Sequence, residues 1–141
     1  MKIELVHPTQ LSVQDITHLA RGCLRIKFQK VDPQQLVRMA LTKELNCYKM
    51  WGADCSGIAL VAPRGDTLWV EMITGKGLLK HFDEVGTWLE SLARSHGAHS
   101  LSFMLASPAL YKLWQRRGAK AVAQYFVKEI ENGRLTESSE N

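Results

Sequence analysis

The sequence predicts an α/β domain, a mixed and mostly antiparallel six-stranded sheet with helices on both faces, in the order β-α-α-β-β-β-α-β-α-β. Three observations carry this. Strand-like runs follow one another between residues 47 and 74, separated by short turns. The middle run, residues 57–62, is almost continuously apolar, as befits a strand buried on both faces. Amphipathic stretches with a period near 3.6 residues lie before and after these runs.

Residues 2–7 place Ile3 and Leu5 on one face and end at Pro8, which makes them a strand. Ser12 is an N-cap, with Asp15 three residues on in the capping-box position. Val13, Ile16, Leu19, Ala20, Cys23 and Leu24 then recur at helical spacing to about Phe28. Asp32-Pro33 restarts the chain as cap and first helical residue. Leu36, Val37, Ala40, Leu41 and Leu45 face inward from this second helix. Strands follow at 47–52, 57–62 and 67–74, joined by turns at 53–56 and 63–66. Gly75-Lys76-Gly77 opens the longest helix, about 78–96, striped by Leu78, Leu79, Phe82, Val85, Leu89, Leu92 and Ala93. Gly97 ends it. A strand at 100–106 leads to Ser107-Pro108, a short helix to about Arg117, a stop at Gly118 and a last strand at 121–130. Residues 1–131 make one domain and 132–141 a polar C-terminal tail.

Composition narrows the class. Hydrophobic residues are 45% of the chain, too many for a disordered protein. No period recurs, which excludes a repeat architecture, and no apolar run approaches the roughly 18 residues of a membrane span. The first ten residues lack the apolar core of an export signal. Three cysteines are an odd number, so reduced thiols and a cytoplasmic location are expected. A net charge of +4 favours anionic ligands such as phosphates but is too small to mark nucleic-acid binding. The basic clusters Arg21, Arg25, Lys27, Lys30 and Arg116, Arg117, Lys120 read as solvated faces. Cys47, Cys55, His96 and His99 lack the spacing of a zinc knuckle, so no metal is expected. His7, His18 and His81 have no triad partner in the sequence, and neither a Gly-x-Ser-x-Gly elbow nor a Walker loop occurs.

Three features bear on chemistry. Glu71 sits inside the apolar run 68–73, where a carboxylate is costly unless it is paired, solvated or facing a cleft. Gly75 and Gly77 would let backbone N–H groups approach an anion at a helix N-terminus, with Lys76 and Lys80 beside it. The alternative is a tight turn that needs glycine for a positive φ. Tyr111 lies one helical turn before Trp114, on the same face, as a titratable hydroxyl or as a packing residue.

Over residues 2–130 this order of elements resembles the GNAT N-acetyltransferase superfamily. The family's pyrophosphate loop, Arg/Gln-x-x-Gly-x-Gly/Ala, is matched by Met72-Ile73-Thr74-Gly75-Lys76-Gly77, with Met72 at the first position. The family's Tyr-x-x-x-Gly-Phe helix end is matched by Trp114 to Gly118-Ala119. Trp114 replaces the acid tyrosine, and an indole N–H cannot protonate a leaving thiolate. The resemblance implies acetyl-CoA held by Met72, Ile73, Thr74, Gly75, Lys76, Gly77, Leu78 and Ser107. It also implies Glu71 as the base, Tyr111 as the remaining candidate acid, and an amine acceptor, small molecule or protein, selected by the first two helices. A basic lip on those helices would suit an acidic acceptor. The second reading is a non-catalytic protein on the same fold. Small GNAT-like proteins of tailed phages and prophages are similar in length and in carrying an aromatic residue before Gly-Ala, and some are virion or internal head components. That reading implies a virion location and self-association or assembly through the sheet edge and the tail.

Overall fold

The computed structural model describes residues 1–26, 30–104 and 108–120, in two units, Met1–Ala106 and Ser107–Asn141. The first unit holds a five-stranded sheet: β1 (Lys2–Val6), β2 (Asn46–Gly52), β3 (Cys55–Arg64), β4 (Thr67–Lys76) and β5 (Ser100–Phe103), side by side in chain order. The first three junctions are antiparallel and β4–β5 is parallel. Three helices accompany it: α1 (Val13–Arg25), α2 (Pro33–Leu41) and α3 (Phe82–Ser95).

α1 starts where the capping box places it. The Ser12 hydroxyl accepts from the Asp15 N–H at 3.1 Å, and the Asp15 carboxylate accepts from the Ser12 N–H at 2.8 Å. α2 starts at Pro33, with Asp32 accepting from the Gln34 N–H at 3.0 Å. Leu19, Cys23, Leu36 and Ala40 from these helices pack on Cys47, Ile58, Leu60, Ala62 and Met72 of the sheet. Tyr48, next to Cys47, points to the opposite face. There its ring meets Trp88 of α3 edge-on, centroids 5.0 Å apart. β3 is buried continuously from residue 57 to 62, as its apolar run requires.

Several boundaries differ from the sequence expectation. The hairpin between β2 and β3 turns on Ala53 and Asp54 alone, so β3 begins at Cys55. The longer β3 gives β4 partners as far as Lys76, through Gly57↔Gly75 and Ser56↔Lys76. The strand expected to end at Thr74 therefore runs two residues further, and Gly75 and Lys76, expected to open the helix, are strand. Gly77 turns the chain at φ +73°, a 3-10 turn follows at Leu79–His81, and α3 opens at Phe82 rather than at Leu78. α1 ends at Arg25, short of Phe28, which lies outside the described residues. β5 is described only to Phe103, and Ser107, the strand expected at 121–130 and the tail 132–141 lie outside the described residues. The described sheet thus has five strands instead of six.

The second unit contains α4 (Pro108–Arg116). Gly118, at φ +94°, stops it as expected, and the Ala119 N–H donates to the Trp114 carbonyl at 3.0 Å. Among the described residues no helix is long and apolar enough to cross a membrane.

Candidate functional site

β4 and β5 run together only from Thr67↔Ser100 to Val70↔Phe103. Beyond Val70, residues 72–76 of β4 pair with β3 alone among the described strands. The backbone groups on the other edge of that segment have no strand partner among the described residues, an edge to which an extended amide-bearing ligand could add.

A β-bulge sits at this parting. Leu60 faces Met72 while Val61 faces Val70, which makes Glu71 the extra residue. Trp69 lies opposite Ala62 and Met72 opposite Leu60, and both partners belong to the core under α1 and α2. In a regular strand, positions 69 and 72 would point to opposite faces. The bulge therefore switches the buried face: Leu68 and Val70 are buried before it on one side, Met72 and Thr74 after it on the other.

Glu71 is half-buried, and its Oε1 accepts from Trp69 Nε1 at 2.9 Å. Its Oε2 accepts no bond from the described residues. Trp69 is in turn stacked by Arg64, whose guanidinium carbon is 5.3 Å from the ring centroid. Burial, and then the charges of Asp32 and Glu71, push the Cys23 thiol up, which places the Glu71 carboxylate within electrostatic reach of α1. Burial first, and the Asp15 charge second, raise Cys47 to about 11, so both positions disfavour the thiolate.

α1 is locked onto this part of the sheet. A Cβ on Gly22 would lie 2.8 Å from Met72 Sδ and from Thr74, so the helix approaches β4 as only a glycine allows. The Thr74 hydroxyl donates to the His18 carbonyl at 3.0 Å, and the buried His18 Nε2 is 2.9 Å from Ser56 Oγ. Asp15, also buried, meets Lys49 of β2 at 3.0 Å. Burial works to raise the Asp15 carboxyl. The Ser12 N–H and hydroxyl and the Lys49 ammonium outweigh it and hold the carboxyl below its usual range.

The residues expected to cradle a diphosphate are placed differently from one another. Met72 and Thr74 turn inward under α1, while Ile73, opposite Ala59, faces the other side of the sheet. Gly75 packs on the backbone of β3, where a Cβ would meet the Ser56 carbonyl oxygen and lie 2.5 Å from Gly57 Cα. Gly77 packs on the Asp54 carbonyl of the hairpin. The Leu78 side chain lies over Gly57 and Gly75. Lys76 is exposed at the strand end. Lys80 is engaged by Asp54 at 3.1 Å, and the first turn of α3 carries Asp83 and Glu84. Hydrogen bonds from His81 and Lys80 hold the Asp54 carboxyl down to about 2. Tyr111 is exposed and Trp114 buried, both on α4 of the second unit.

Two partners escaped the sequence reading. Trp69 as the holder of Glu71 was findable, because residues two apart on a strand share a face. The meeting of Asp54 and Cys55 with His81 had no signal in spacing.

Neither a family model nor a curated protein matches the chain. Solved structures do. An acetyltransferase of Trypanosoma brucei superposes with TM-score 0.61 at 10% identity, over 92% of this chain and 99% of that one. A ribosomal-protein-alanine N-acetyltransferase from Brucella melitensis superposes with TM-score 0.61 at 15% identity, over 92% and 100%. A glucosamine-6-phosphate N-acetyltransferase from Arabidopsis thaliana gives 0.57 at 11%, over 92% and 98%. With its bulged β4 parting from β5, this chain has the GNAT fold of N-acetyltransferases.

Proposed function

We propose that this protein is an acyl-CoA-dependent N-acyltransferase that acetylates an amine, with Glu71 as the base. The observation that supports it is the position of Glu71: a bulge sets the carboxylate at the point where β4 and β5 separate. When bound, acetyl-CoA supplies an activated thioester, so positioning and removal of the amine proton are what the protein must add.

The edge of residues 72–76, without a strand partner among the described residues, would take the amide-bearing arm of acetyl-CoA, and the turn at Gly77 and Leu78 adjoins it. Its diphosphate end is less well served, because Asp83 and Glu84 oppose an anion at α3 and Lys80 is already paired. Trp69 fixes one oxygen of Glu71, leaving Oε2 to take a proton from the attacking amine. For a donor to the leaving sulfur the family resemblance alone points to Tyr111, since Trp114 offers an N–H that does not titrate. Arg21 and Arg25, both exposed on α1, would favour an acidic acceptor.

The test is thiol release from acetyl-CoA by the full chain across a panel of primary amines, repeated with Glu71→Gln. Amine-dependent release that falls in the variant supports the reading. No release and no acetyl-CoA binding by folded protein would refute it.

A further inference from the structure

Away from Glu71, the side chains of the β2–β3 hairpin tip and the turn after β4 converge. A carboxylate oxygen of Asp54, the Cys55 sulfur and a ring nitrogen of His81 all lie within 4.8 Å of one another. We propose that Asp54, Cys55 and His81 form a zinc site, with Glu84 as a positioning residue. The proposal is independent of the acyltransferase reading.

The donor set is the first reason. Thiolate, imidazole and carboxylate are the three ligand types that zinc takes, and a mixed set suits it better than magnesium or calcium. Three protein ligands leave one tetrahedral position for water, and exposed Asp54 opens that position to solvent.

The geometry is the second. Tetrahedral ligands at about 2.0–2.3 Å from zinc stand about 3.3–3.7 Å apart. Here His81 Nε2 is 2.9 Å from Asp54 Oδ1, and no pair exceeds 4.8 Å, so small side-chain rotations suffice. The other ring nitrogen, Nδ1, is 3.5 Å from Glu84 Oε1. A carboxylate behind the imidazole orients the ring and selects the tautomer that binds metal through Nε2.

The scaffold is the third. Gly77 sits against the Asp54 carbonyl, closer than any side chain permits, and joins the hairpin tip to the turn that carries His81. Gly52 lies beside the Cys55 sulfur, where its absent Cβ would be 3.3 Å away. Lys80 holds Asp54 through Oδ2 at 3.1 Å, leaving Oδ1 toward the metal position. Binding exchanges a proton for the ion: the Cys55 thiol loses its proton to solvent, and the His81 ring takes the ion at Nε2 with its remaining proton on Nδ1, facing Glu84.

The experiment is titration of the reduced full chain with Co²⁺, followed by displacement with Zn²⁺. One equivalent should bind, with a thiolate-to-cobalt charge-transfer band and tetrahedral visible bands that zinc removes. Cys55→Ser should abolish the charge-transfer band. His81→Gln, at a half-buried position, tests the site if Cys55→Ser folds poorly, and should weaken binding at least about tenfold. Glu84→Gln should weaken it by about tenfold. Lys80→Ala should tighten it, by freeing Asp54 from a competing cation. A purely structural ion-pair network would show none of these bands. Absence of the band in folded wild-type protein, or a band that survives Cys55→Ser, would overturn the proposal.

Discussion

Replacing Gly75 by alanine separates two roles for the glycine that sequence alone leaves merged. The added methyl would enter the Ser56 carbonyl oxygen and stand 2.5 Å from Gly57 Cα. Both obstacles are backbone atoms of the strand to which Gly75 is hydrogen-bonded, so neither can rotate away. Leu78 Cδ1, at 3.0 Å, can. Overpacking of this kind costs about 1–3 kcal/mol, and immovable neighbours put it near the upper end. Stiffening of the unfolded chain returns about 0.5–1 kcal/mol, leaving a net loss of about 2 kcal/mol. With a urea dependence of about 1–3 kcal/mol per molar, the unfolding midpoint should fall by roughly 1 M. Titration of the still-folded variant with acetyl-CoA should give an affinity close to that of the wild type. An unchanged midpoint together with lost acetyl-CoA binding would refute this reasoning and make Gly75 part of an anion cradle.

Glu71→Gln should lower amine acetylation by about 10²–10⁴-fold while leaving acetyl-CoA affinity nearly unchanged, measured by steady-state kinetics and calorimetry. Trp69→Phe removes the bond that fixes Oε1 and should cost less, with the loss in kcat rather than in KM. Because acidic residues open α3, S-acetylpantetheine should bind within about tenfold of acetyl-CoA, a difference of about 1.4 kcal/mol; a loss of a thousandfold would show a built diphosphate site. Lys49→Met should destabilise the fold by about 1–3 kcal/mol at neutral pH, because it strands the Asp15 carboxylate, whose side chain is only 4% exposed. The folded-state value of Asp15 is depressed, so its stabilisation is full above the unfolded value of 3.8 and is lost as pH falls through the folded one. The gap between variant and wild type in urea denaturation should therefore narrow below about pH 4.

Local rules placed the elements whose signals are local. Ser12 with Asp15, Asp32 with Pro33, and Gly118 each satisfy or release backbone groups within a few residues, and each cap lies where the sequence puts it. The run 57–62 announced the buried central strand because burial on both faces needs unbroken apolar side chains. Glu71 stood out for the same reason, as a charge among apolar neighbours. What the tertiary structure alone decided is what lies between segments distant in sequence. Whether Gly75 serves a turn, a ligand or a neighbouring strand depends on the register of β3 against β4, and that register is set by packing on both faces. The bulge at Glu71 arises from the same pairing and cannot be read from one strand. Asp54, Cys55 and His81 meet because Gly77 brings a hairpin tip against the turn after β4, and no periodicity in the chain encodes a contact between two turns.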